Sequence, residues 1–517
     1  MNRPALARTL MIQGTASSVG KSLVVTGLCR LLARQGVRVA PFKSQNMALN
    51  AAVTPDGGEI GRAQALQAEA AGVRAHVDMN PILLKPEGPA RSQVVVLGKP
   101  IGSMAAAEYH ARKPELRGIV AGSLERVRAA HDVVIIEGAG SPAEINLRDR
   151  DLVNMYVAGV ADAPVWIVGD IDRGGVFAAF VGTLGLLEPH ERERVTGFLI
   201  NKFRGDPGLL APGLSMLRER TGVPVVGVVP HLERLRLADE DSLAIDDRAG
   251  RARARADELD VVVVRLPRIS NHDDVAPLEH EPGVVVRFVD RAEDIAAADL
   301  VVLPGSKSTV SDLTWLRRAG LSEAIVARAV RGQPVLGICG GCQMLGRSVE
   351  DPHAAESPEP YTPGLGLLPL STRFATTKTT AQVRARAATA SFLAAPHDGE
   401  LEGYEIHMGD VTSTHAASAR PAFTIAARNH DVTSVSDGAV SSDGHVVGTL
   451  LHGLFENAAV RARLTAALRA RRGLEPPSTA AHGPTWSRVA EYDRLADALA
   501  ASMDPEAWRG LREIRRS

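Results

Sequence analysis

A short glycine-rich loop near the start of the chain constrains its fold more than any other feature. The apolar run 9–13 leads directly into GTASSVGKS, residues 14–22, and a stretch with helical apolar spacing follows at 23–35. A strand, a glycine loop and a helix in this order aim backbone N–H groups and a helix N-terminus at a phosphate. Such units form at the carboxyl edge of parallel sheets, so the loop predicts an α/β domain that binds a nucleotide.

Each residue type in the loop has a chemical task. Lys21 is expected to neutralise the terminal phosphates and Ser22 to hold Mg²⁺, while Asn201, after another apolar run, is expected to contact the base. The predicted ATP-binding residues are Gly14, Thr15, Ser17, Val19, Gly20, Lys21, Ser22 and Asn201. The loop is one residue longer than G-x-x-x-x-G-K-[ST] and resembles the variant loop of dethiobiotin synthetase and its relatives. A glycine-rich turn with an incidental lysine is the alternative interpretation.

Acidic residues that follow apolar runs are candidate metal ligands. Glu137 ends the run 132–136, and Asp170 and Asp172 follow a second run. An acid at the carboxyl end of a strand lies beside the phosphates and can bind Mg²⁺ directly or through water. Ser22, Glu137 and Asp170 are therefore the predicted Mg²⁺ ligands, and capping of the next helix is the alternative role for the acids.

Apolar runs alternate with amphipathic stretches in both halves of the chain, which predicts parallel sheets covered by helices. The first half is expected to be a three-layer α/β domain. The predicted strands are 9–13, 37–42, 132–136, 164–168, 197–200, 223–229, 261–264, 284–289, 300–303 and 334–338. Because 517 residues exceed one ordinary core, two or three domains are expected.

The domain boundaries follow from composition. Residues 246–258, DDRAGRARARADE, are charged and lack β-branched side chains, which indicates a linker between an ATP-binding domain at 1–245 and a second α/β domain at 259–470. Residues 471–517 are predicted to form a C-terminal helical appendage, with a helical pattern at 486–502. Residues 351–363, rich in Pro, Glu and Ser, are predicted to be a surface loop.

Charge and cysteine content exclude several classes of protein. The formal net charge is −1, which gives no global attraction for nucleic acid or an anionic membrane. No apolar run approaches the roughly 20 residues that span a bilayer. Three cysteines are too few for a disulfide framework, so a cytoplasmic location is expected. The sequence does not distinguish a monomer from a homo-oligomer.

The second half contains a motif typical of a reactive thiol. In VLGICGGCQML, residues 335–345, an apolar run enters a tight turn with Cys339 at its apex, and a helix follows. This G-x-C-x-G pattern is the thiol counterpart of the nucleophile elbow, whose glycines permit a strained backbone. A helix N-terminus lowers the thiol pKa, and the thiolate is the reactive form, so Cys339 is the predicted nucleophile.

Cys339 and Cys342 also form a C-x-x-C pair, which leaves metal-binding and redox interpretations open. A zinc site needs two further ligands, and no other paired Cys or His motif in the sequence has suitable spacing. A redox dithiol leaves the glycines of the elbow unexplained. If Cys339 is the nucleophile, Cys342 is expected to be a small packed residue.

His452 is the predicted base for this thiol. It lies in GHVVGTLLHGLFE, residues 444–456, where a glycine-flanked histidine after an apolar run can reach an elbow. His272 and His407 lack such a setting. These features rank His452 first among the 15 histidines.

Backbone amides are predicted to stabilise the oxyanion that attack by the thiol creates. The turn LPGSKST, residues 303–309, follows another apolar run. Its amides can form an oxyanion hole, with Gly305 there and Gly341 in the elbow as the predicted donors.

Several longer motifs are spread across nearly the whole chain. Besides GTASSVGKS, the motifs are FKSQNMALN (42–50), NPILLKP (80–86), EGAGSPAEINL (137–147), GDIDRGGVFA (169–178), INKFRGD (200–206), LPGSKST (303–309), GICGGCQMLG (337–346), GYEIHMG (403–409) and LLHGLFEN (450–457). Together these motifs resemble the cobyric acid synthase family of cobalamin biosynthesis. FKSQNMALN and GDIDRGG favour this family over the sibling family that makes the a,c-diamide.

The resemblance implies a fold and an activity. The fold is an N-terminal P-loop domain, dethiobiotin-synthetase-like, followed by a C-terminal class I glutamine amidotransferase-like, flavodoxin-like α/β domain. The activity is ATP- and Mg²⁺-dependent amidation of the b, d, e and g carboxylates of adenosylcobyrinic acid a,c-diamide, giving adenosylcobyric acid. Glutamine supplies the ammonia, and the partners implied are glutamine and the corrinoid, with no nucleic acid or membrane.

The resemblance also assigns residues. Cys339 becomes the glutaminase nucleophile, His452 its base and Gly305 part of the oxyanion hole. Many class I amidotransferases carry a Glu two residues after the histidine, where this chain has Leu454, so a Cys–His dyad is one possibility. The conjectural partners of the substrate are Lys43, Asn46, Lys85, Arg91 and Arg173.

Two other functions are weighed against this one. A partitioning-type ATPase switch shares the loop, but such switches lack a thiol-elbow domain and usually carry a second lysine where this chain has Thr15 and Ala16. The second is amidation of another acid, such as the a and c carboxylates of cobyrinic acid or a cell-wall precursor. The chemistry of the candidate residues fits it equally, and only the resemblance of the longer motifs argues against it.

Overall fold

The computed structural model describes residues 6–88, 90–233, 235, 237, 252–414, 420–475 and 486–507. Of these, the residues within Met1–Ala48, Ile60–Leu237 and Ser487–Ser517 form one compact unit. The residues within Leu49–Glu59 and Ala238–Trp486 form a second. Among the described residues, no helix combines the length and apolar character that crossing a membrane requires.

The first half of the chain alternates strands and helices. Its strands are β1 (Arg8–Gly14), β2 (Val39–Phe42), β3 (Gln45–Met47), β4 (Ala51–Val53), β5 (Glu59–Gly61), β6 (Ile82–Gly88), β7 (Arg91–Val96), β8 (Lys99–Ala105), β9 (Val133–Glu137), β10 (Val165–Asp170), β11 (Val195–Phe203) and β12 (Val225–Pro230). Its helices are α1 (Lys21–Arg34), α2 (Arg62–Ala70), α3 (Ala106–Ala130), α4 (Met155–Ala161), α5 (Val176–Leu186), α6 (Pro189–Arg192) and α7 (Ala211–Thr221). Short 3-10 helices occur at Val77–Met79, Ile145–Arg150 and Pro207–Leu210.

The second half is richer in strands. They are β13 (Leu259–Val264), β14 (Ile269–Ser270), β15 (Val284–Val289), β16 (Leu300–Leu303), β17 (Gly305–Ser306), β18 (Val335–Ile338), β19 (Ser348–Glu350), β20 (Tyr361–Pro363), β21 (Leu370–Ala387), β22 (Leu401–Ser413), β23 (Phe423–Arg428), β24 (Asp431–Asp437), β25 (Ala439–Val440), β26 (Val446–Thr449) and β27 (Leu451–His452). The helices are α8 (Ala292–Ala297), α9 (Thr309–Arg318), α10 (Leu321–Val330), α11 (Gly340–Leu345), α12 (Ala458–Arg472) and α13 (Arg488–Ser502). Two 3-10 helices span His272–His280 and Leu454–Glu456.

The first unit is built on a parallel sheet with the strand order β12-β11-β10-β1-β9-β2. β1 is central, and its apolar residues are almost fully buried, as expected for a sheet covered on both faces. The glycine loop therefore starts at the middle of the sheet's carboxyl edge. A separate sheet of order β3-β6-β7-β8 lies in the same unit.

The C-terminal helix α13 packs in the first unit, against α1. A Cβ on Gly27 would lie 2.3 Å from Leu499 Cδ1, so the missing side chain permits the close approach of the two helices. Arg30 Nε donates to Asp493 Oδ1 at 2.8 Å. The helical pattern predicted at 486–502 is confirmed.

The second unit contains a sheet of order β15-β13-β16-β18-β26-β25, parallel except for β25. β18 lies inside this sheet, so its carboxyl end presents Cys339 at the middle of the edge. A second sheet of order β20-β19-β21-β22-β27 also carries β23 and β24.

The sequence-based picture is incomplete in two places. The long antiparallel pair β21–β22 was not predicted, because its apolar residues do not alternate along the whole length. The segment 351–363 is not only a surface loop: Tyr361–Pro363 forms β20, and buried Asp351 accepts hydrogen bonds from the amides of Ala355, Glu356 and Ser357. Residues 246–251 of the predicted linker lie outside the described residues, and the predicted domain boundaries stay predictions.

Candidate functional site

Cys339 lies at a strained turn between β18 and α11. Its φ of 51° and ψ of −110° are unusual for a residue with a side chain, which is the backbone signature of a nucleophile elbow. A Cβ on Gly341 would lie 2.0 Å from the Leu303 carbonyl oxygen, and one on Gly337 would lie 2.7 Å from that of Gly341. Both glycines of the motif are therefore required by close backbone packing.

His452 faces a carboxylate that the sequence did not identify. Its Nδ1 lies 2.6 Å from Asp274 Oδ2, and the Gly453 amide donates to Asp274 Oδ1 at 3.0 Å. Asp274 sits on the 3-10 helix His272–His280, and both side chains are buried. A carboxylate so placed fixes the tautomer and orientation of the imidazole. The structure thus supplies a third polar residue where the local motif has Leu454.

Sequence reasoning missed Asp274 because it lies 178 residues from His452. No fixed spacing relates residues brought together by tertiary folding. The available signal was the acidic pair Asp273–Asp274 shortly after the apolar run of β13, and nothing in it indicated a histidine partner.

The charges favour a thiolate paired with an imidazolium. Burial raises the pKa of Cys339, but the attraction and hydrogen bond of His452, together with His407 and the Gly340 amide, outweigh it and lower the pKa. Burial lowers the pKa of His452, but Asp274 and the Cys339 thiolate raise it well above its ordinary value. Each group stabilises the charged form of the other.

Cys342 has the opposite character. It is fully buried, and a Cβ on Gly448 would lie 2.8 Å from its sulfur. Burial and the neighbouring Asp437 and Cys339 raise its pKa well above the ordinary thiol value. In the part of the chain that the structure describes, no cluster of three or more His, Cys, Asp or Glu residues could hold a metal.

A second histidine stands near the thiol. The Cys339 sulfur lies 3.5 Å from the Ile406 carbonyl oxygen, and His407 Nε2 lies 3.4 Å from Glu405 Oε1. Burial lowers the pKa of His407, but Glu405 and the Cys339 thiolate raise it above its usual value. Arg428 pairs with the same Glu405 carboxylate at 2.7 Å.

The two predicted oxyanion glycines have different surroundings. Gly305 lies in β17 beside the base, because a Cβ there would be 3.3 Å from His452 Cε1. Gly341 packs beneath Leu303, whereas the backbone amide of Gly340 helps to lower the pKa of Cys339. A Cβ on Gly340 would lie 2.8 Å from the Ser306 backbone nitrogen, so those two residues are adjacent.

In the first unit, the glycine loop is held by its own lysine and by Asn201. Lys21 Nζ donates to the carbonyl oxygens of Ala16 at 3.0 Å and Gly140 at 3.1 Å. Asn201 Nδ2 donates to the Val19 carbonyl at 2.8 Å. Only a glycine fits at Gly20, because φ there is 98° and a Cβ would lie 2.2 Å from Asn201 Nδ2. The Asn201 amide therefore supports the loop itself, and its contact with a base stays a prediction.

The other predicted loop residues lie along the same turn. Gly14 ends β1, and a Cβ on it would lie 2.7 Å from Val19 Cγ2. The Thr15 amide donates to the Val168 carbonyl at 2.9 Å, and Ser17 is exposed.

Two of the three predicted Mg²⁺ ligands meet directly. The Ser22 hydroxyl donates to Glu137 Oε1 at 2.8 Å; Lys43 Nζ lies 2.9 Å from the same oxygen, and Gln67 Nε2 donates to Oε2 at 2.6 Å. Burial raises the pKa of Glu137, but Lys43 and the hydrogen bonds from Gln67 and Ser22 outweigh it and lower the pKa.

The third predicted ligand, Asp170, belongs to a different group of charges. Its Oδ2 lies 2.8 Å from Lys202 Nζ, and its Oδ1 accepts the Asp172 amide at 2.9 Å. Arg173 is 3.8 Å from Asp170 and largely exposed.

The conjectural substrate residues are dispersed through the first unit. Lys43 is engaged with Glu137, Asn46 Nδ2 donates to Gln64 Oε1 at 3.0 Å, and Lys85 is buried. Arg91 Nη2 donates to the Ser103 carbonyl at 3.1 Å and lines a cavity of about 470 Å³.

That cavity combines cations with apolar walls. Lys113 and Arg150 line it together with Arg91, and so does Ala139, next to the Gly140 carbonyl that binds Lys21. Burial and the nearby Arg150 lower the pKa of Lys113, although Asp151 opposes them. The lining also includes the carboxylates Glu144, Asp151 and Glu191. Charged groups of both signs beside apolar walls suit a ligand that carries several polar groups on a large apolar body.

Two family models match most of the chain. A CobQ/CobB/MinD/ParA nucleotide binding domain matches residues 10–245, and a CobB/CobQ-like glutamine amidotransferase domain matches residues 260–460. The fold class predicted from the sequence is thereby confirmed. A nucleotide-binding domain and a glutamine amidotransferase domain on one chain define a glutamine-dependent amidating ligase.

Curated relatives make the family specific. A cobyric acid synthase of Sorangium cellulosum (strain So ce56) is 62% identical, with 96% of this chain and 97% of the relative covered. The cobyric acid synthase of Desulforudis audaxviator (strain MP104C) is 52% identical, with 98% and 99% covered. That of Dehalococcoides mccartyi (strain CBDB1) is 48% identical, with 97% and 98% covered. The chain belongs to the cobyric acid synthase family, as its motifs predicted.

Proposed function

We propose that the chain converts the b, d, e and g side-chain carboxylates of adenosylcobyrinic acid a,c-diamide into amides, giving adenosylcobyric acid in cobalamin biosynthesis. ATP activates each carboxylate and glutamine supplies the ammonia. The observation that carries the proposal is a Cys339–His452–Asp274 arrangement at a nucleophile elbow in the same chain as a phosphate loop. The relatives are named cobyric acid synthase, which supports the product, and the substrate carboxylates follow from the resemblance of the motifs.

Glutamine hydrolysis is assigned to the elbow. The Cys339 thiolate attacks the amide carbon of glutamine, and the imidazolium of His452 gives its proton to the departing ammonia. The resulting glutamyl thioester is hydrolysed by water, from which His452 Nε2 takes a proton. Glutamate then leaves and the thiolate is restored. Asp274 acts through His452, holding Nδ1 at 2.6 Å and stabilising the imidazolium.

The oxyanion of the tetrahedral intermediate needs backbone donors close to the sulfur. The Gly340 amide directly follows Cys339 in the chain and helps to lower the pKa of Cys339, and the adjacent turn Gly305–Ser306 lies beside His452. We assign the oxyanion hole to the Gly340 amide and this turn, with Gly341 required for packing beneath Leu303. Donors that are fixed before the reaction stabilise developing charge without reorganising.

Carboxylate activation is assigned to the phosphate loop. A carboxylate is a poor electrophile, so its oxygen attacks the terminal phosphoryl group of ATP, ADP leaves and an acyl phosphate forms. Ammonia then attacks the acyl carbon, and phosphate and a proton leave as the amide forms. Lys21 and the loop amides would bind the phosphates. Ser22 and Glu137 are hard oxygen ligands 2.8 Å apart and fit Mg²⁺, which when bound would neutralise phosphate charge.

The corrinoid is assigned to the cavity beside the loop after β9. Its cations Arg91, Lys113 and Arg150 suit several carboxylates, and its apolar walls suit a macrocycle. The wall residue Ala139 is adjacent to Gly140, whose carbonyl binds Lys21, so a carboxylate there would approach the phosphates. Proximity of this kind is the main contribution that a site makes to phosphoryl transfer.

Mass spectrometry of the corrinoid tests the proposal. Adenosylcobyrinic acid a,c-diamide is incubated with the protein, ATP, Mg²⁺ and glutamine. A ladder of successive carboxylate-to-amide products that is absent without ATP is expected. An unchanged corrinoid with glutamine still hydrolysed would reject the substrate while leaving the glutaminase assignment intact.

A further inference from the structure

The segment 49–59 interrupts the first unit in sequence but packs within the second. Leu49–Glu59 clusters with the glutaminase residues, although the chain on both sides of it belongs to the first unit. The nucleotide-binding family model at 10–245 includes it. The nucleotide-binding part of the sequence therefore contributes a segment to the other unit.

One face of β21 holds this segment. Lys378 Nζ pairs with Glu59 Oε2 at 2.6 Å, and both side chains are nearly inaccessible, at 6% and 0% exposure. Thr380 Oγ1 donates to the Gly57 carbonyl at 2.6 Å, and Gln382 Nε2 donates to the Val53 carbonyl at 2.5 Å. Because alternate residues of a strand share a face, all three anchors point the same way.

A second anchor reaches the turn before Asp274. The Ala51 amide donates to Asn271 Oδ1 at 3.1 Å, and Asn271 Nδ2 donates back to the Ala51 carbonyl at 3.1 Å. Asn50 Nδ2 lies 2.8 Å from His272 Nε2. Asn271 immediately precedes the 3-10 helix that carries Asp274.

Asn271 also connects segment 49–59 to His452, through Tyr404. Asn271 Nδ2 also donates to the Tyr404 hydroxyl at 3.0 Å, and the Tyr404 ring stacks on His452 with centroids 5.2 Å apart and an interplanar angle of 14°. Gln382 is opposite Tyr404, and Tyr404 is opposite His452, in neighbouring strands. Directly opposite residues share a face, so Gln382, Tyr404 and His452 form one row.

We propose that segment 49–59 is a positioning part of the glutamine-hydrolysing site, which fixes the His452 ring through Asn271 and Tyr404. This inference rests on the proposed glutaminase role of Cys339 and His452. It assigns Asn271 and Tyr404 as positioning residues that act through His452. It also makes the glutaminase dependent on residues that the sequence places in the nucleotide-binding half.

The sharpest test is Tyr404→Phe in the full-length chain, because this change keeps the stacked ring and removes only the hydroxyl. Tyr361→Phe is the matched control, since Tyr361 is an exposed tyrosine of the same unit. We expect kcat for glutamine hydrolysis to fall about 10-fold in Tyr404→Phe, with KM for glutamine changed less than about twofold. Amidation driven by ammonium chloride should proceed at the wild-type rate in both variants.

Asn271→Asp tests the other end of the link. Aspartate tolerates the left-handed backbone at this position, where φ is 51°, and keeps an acceptor for the Ala51 amide while losing both donated hydrogen bonds. If the two residues act through their shared hydrogen bond, the double variant should lose less than the product of the two single losses.

Three results would overturn the inference: equal glutaminase kcat in Tyr404→Phe and Tyr361→Phe, an equal loss of ammonia-driven amidation, or fully multiplicative losses in the double variant. Failure of the proposed corrinoid function is separable. A wild-type protein that hydrolyses glutamine without amidating the corrinoid would reject that substrate, while glutaminase kcat would still decide the role of the segment.

Discussion

Cys339, His452 and Asp274 come from three separate segments and are brought together only by the fold of the second unit. Cys339 and His452 were predicted from glycine-flanked positions after apolar runs, because the backbone demands of an elbow leave a local signature. Asp274 has no such local signature, because any carboxylate that the fold brings to His452 Nδ1 could make the same hydrogen bond. The oxyanion role that we propose for the Gly340 amide has no sequence signal either, because an amide donor has no side chain to identify it.

The three thiols of the chain differ enough in their surroundings to be told apart by reactivity. The pKa of Cys339 is lowered by His452, whereas burial raises that of Cys29 and of Cys342. At neutral pH, iodoacetamide should therefore modify Cys339 first, because the thiolate is the nucleophile. Peptide mapping by mass spectrometry measures this, with Cys339→Ala as the control. Equal labelling of Cys342 would contradict the assignment.

Asp274→Asn should move the alkaline limit of glutaminase activity to lower pH. The imidazolium of His452 is present below its pKa and is lost as pH rises through it, and Asp274 raises that pKa. Removing the carboxylate lowers the pKa, so the charged pair is lost at lower pH, and kcat should also fall about 100-fold or more. A pH profile of glutamine hydrolysis measures both effects. An unshifted alkaline limb would show that Asp274 does not act through His452.

At the scale of elements, strands of the two parallel sheets were predicted well and the antiparallel sheet was not. Fully buried parallel strands such as β13 and β16 read as unbroken apolar runs. β21 and β22 are partly exposed and carry many polar residues, so their pattern resembles loop sequence. The docking of α13 on α1 could not be predicted either, because it depends on a glycine far away in the chain.

Leu499→Ala tests that docking. Leu499 is buried against Gly27, and truncation of a buried leucine typically costs about 2–5 kcal/mol of unfolding free energy. Hydrogen exchange should accelerate in peptides of β1 and α1, while peptides of β13 and β18 keep wild-type rates. Val489→Ala, at a half-exposed position on the same helix, is the matched control. Unchanged exchange in α1 would contradict the packing of α13 in the first unit.

At the scale of the whole molecule, the chain has two compact units whose sequence boundaries are interlaced. Segment 49–59 joins the second unit and α13 joins the first, so neither unit is one continuous stretch of chain. Composition along the chain does not show that segment 49–59 and α13 pack in the other unit, because each segment resembles its neighbours in sequence. The two chemistries of the proposed reaction nevertheless remain assigned to separate units, with the phosphate loop in one and the thiol elbow in the other.

The central claim is that nitrogen released at Cys339 becomes the amide formed by the nucleotide-binding unit. The direct test supplies glutamine labelled with ¹⁵N in its amide, together with ATP, Mg²⁺, the corrinoid and an excess of unlabelled ammonium at neutral pH. Mass spectrometry of the product should show amides that carry mostly ¹⁵N with the wild-type protein. Cys339→Ala should give only unlabelled amides. Product that carries the isotope ratio of the bulk ammonium in the wild type would contradict the account.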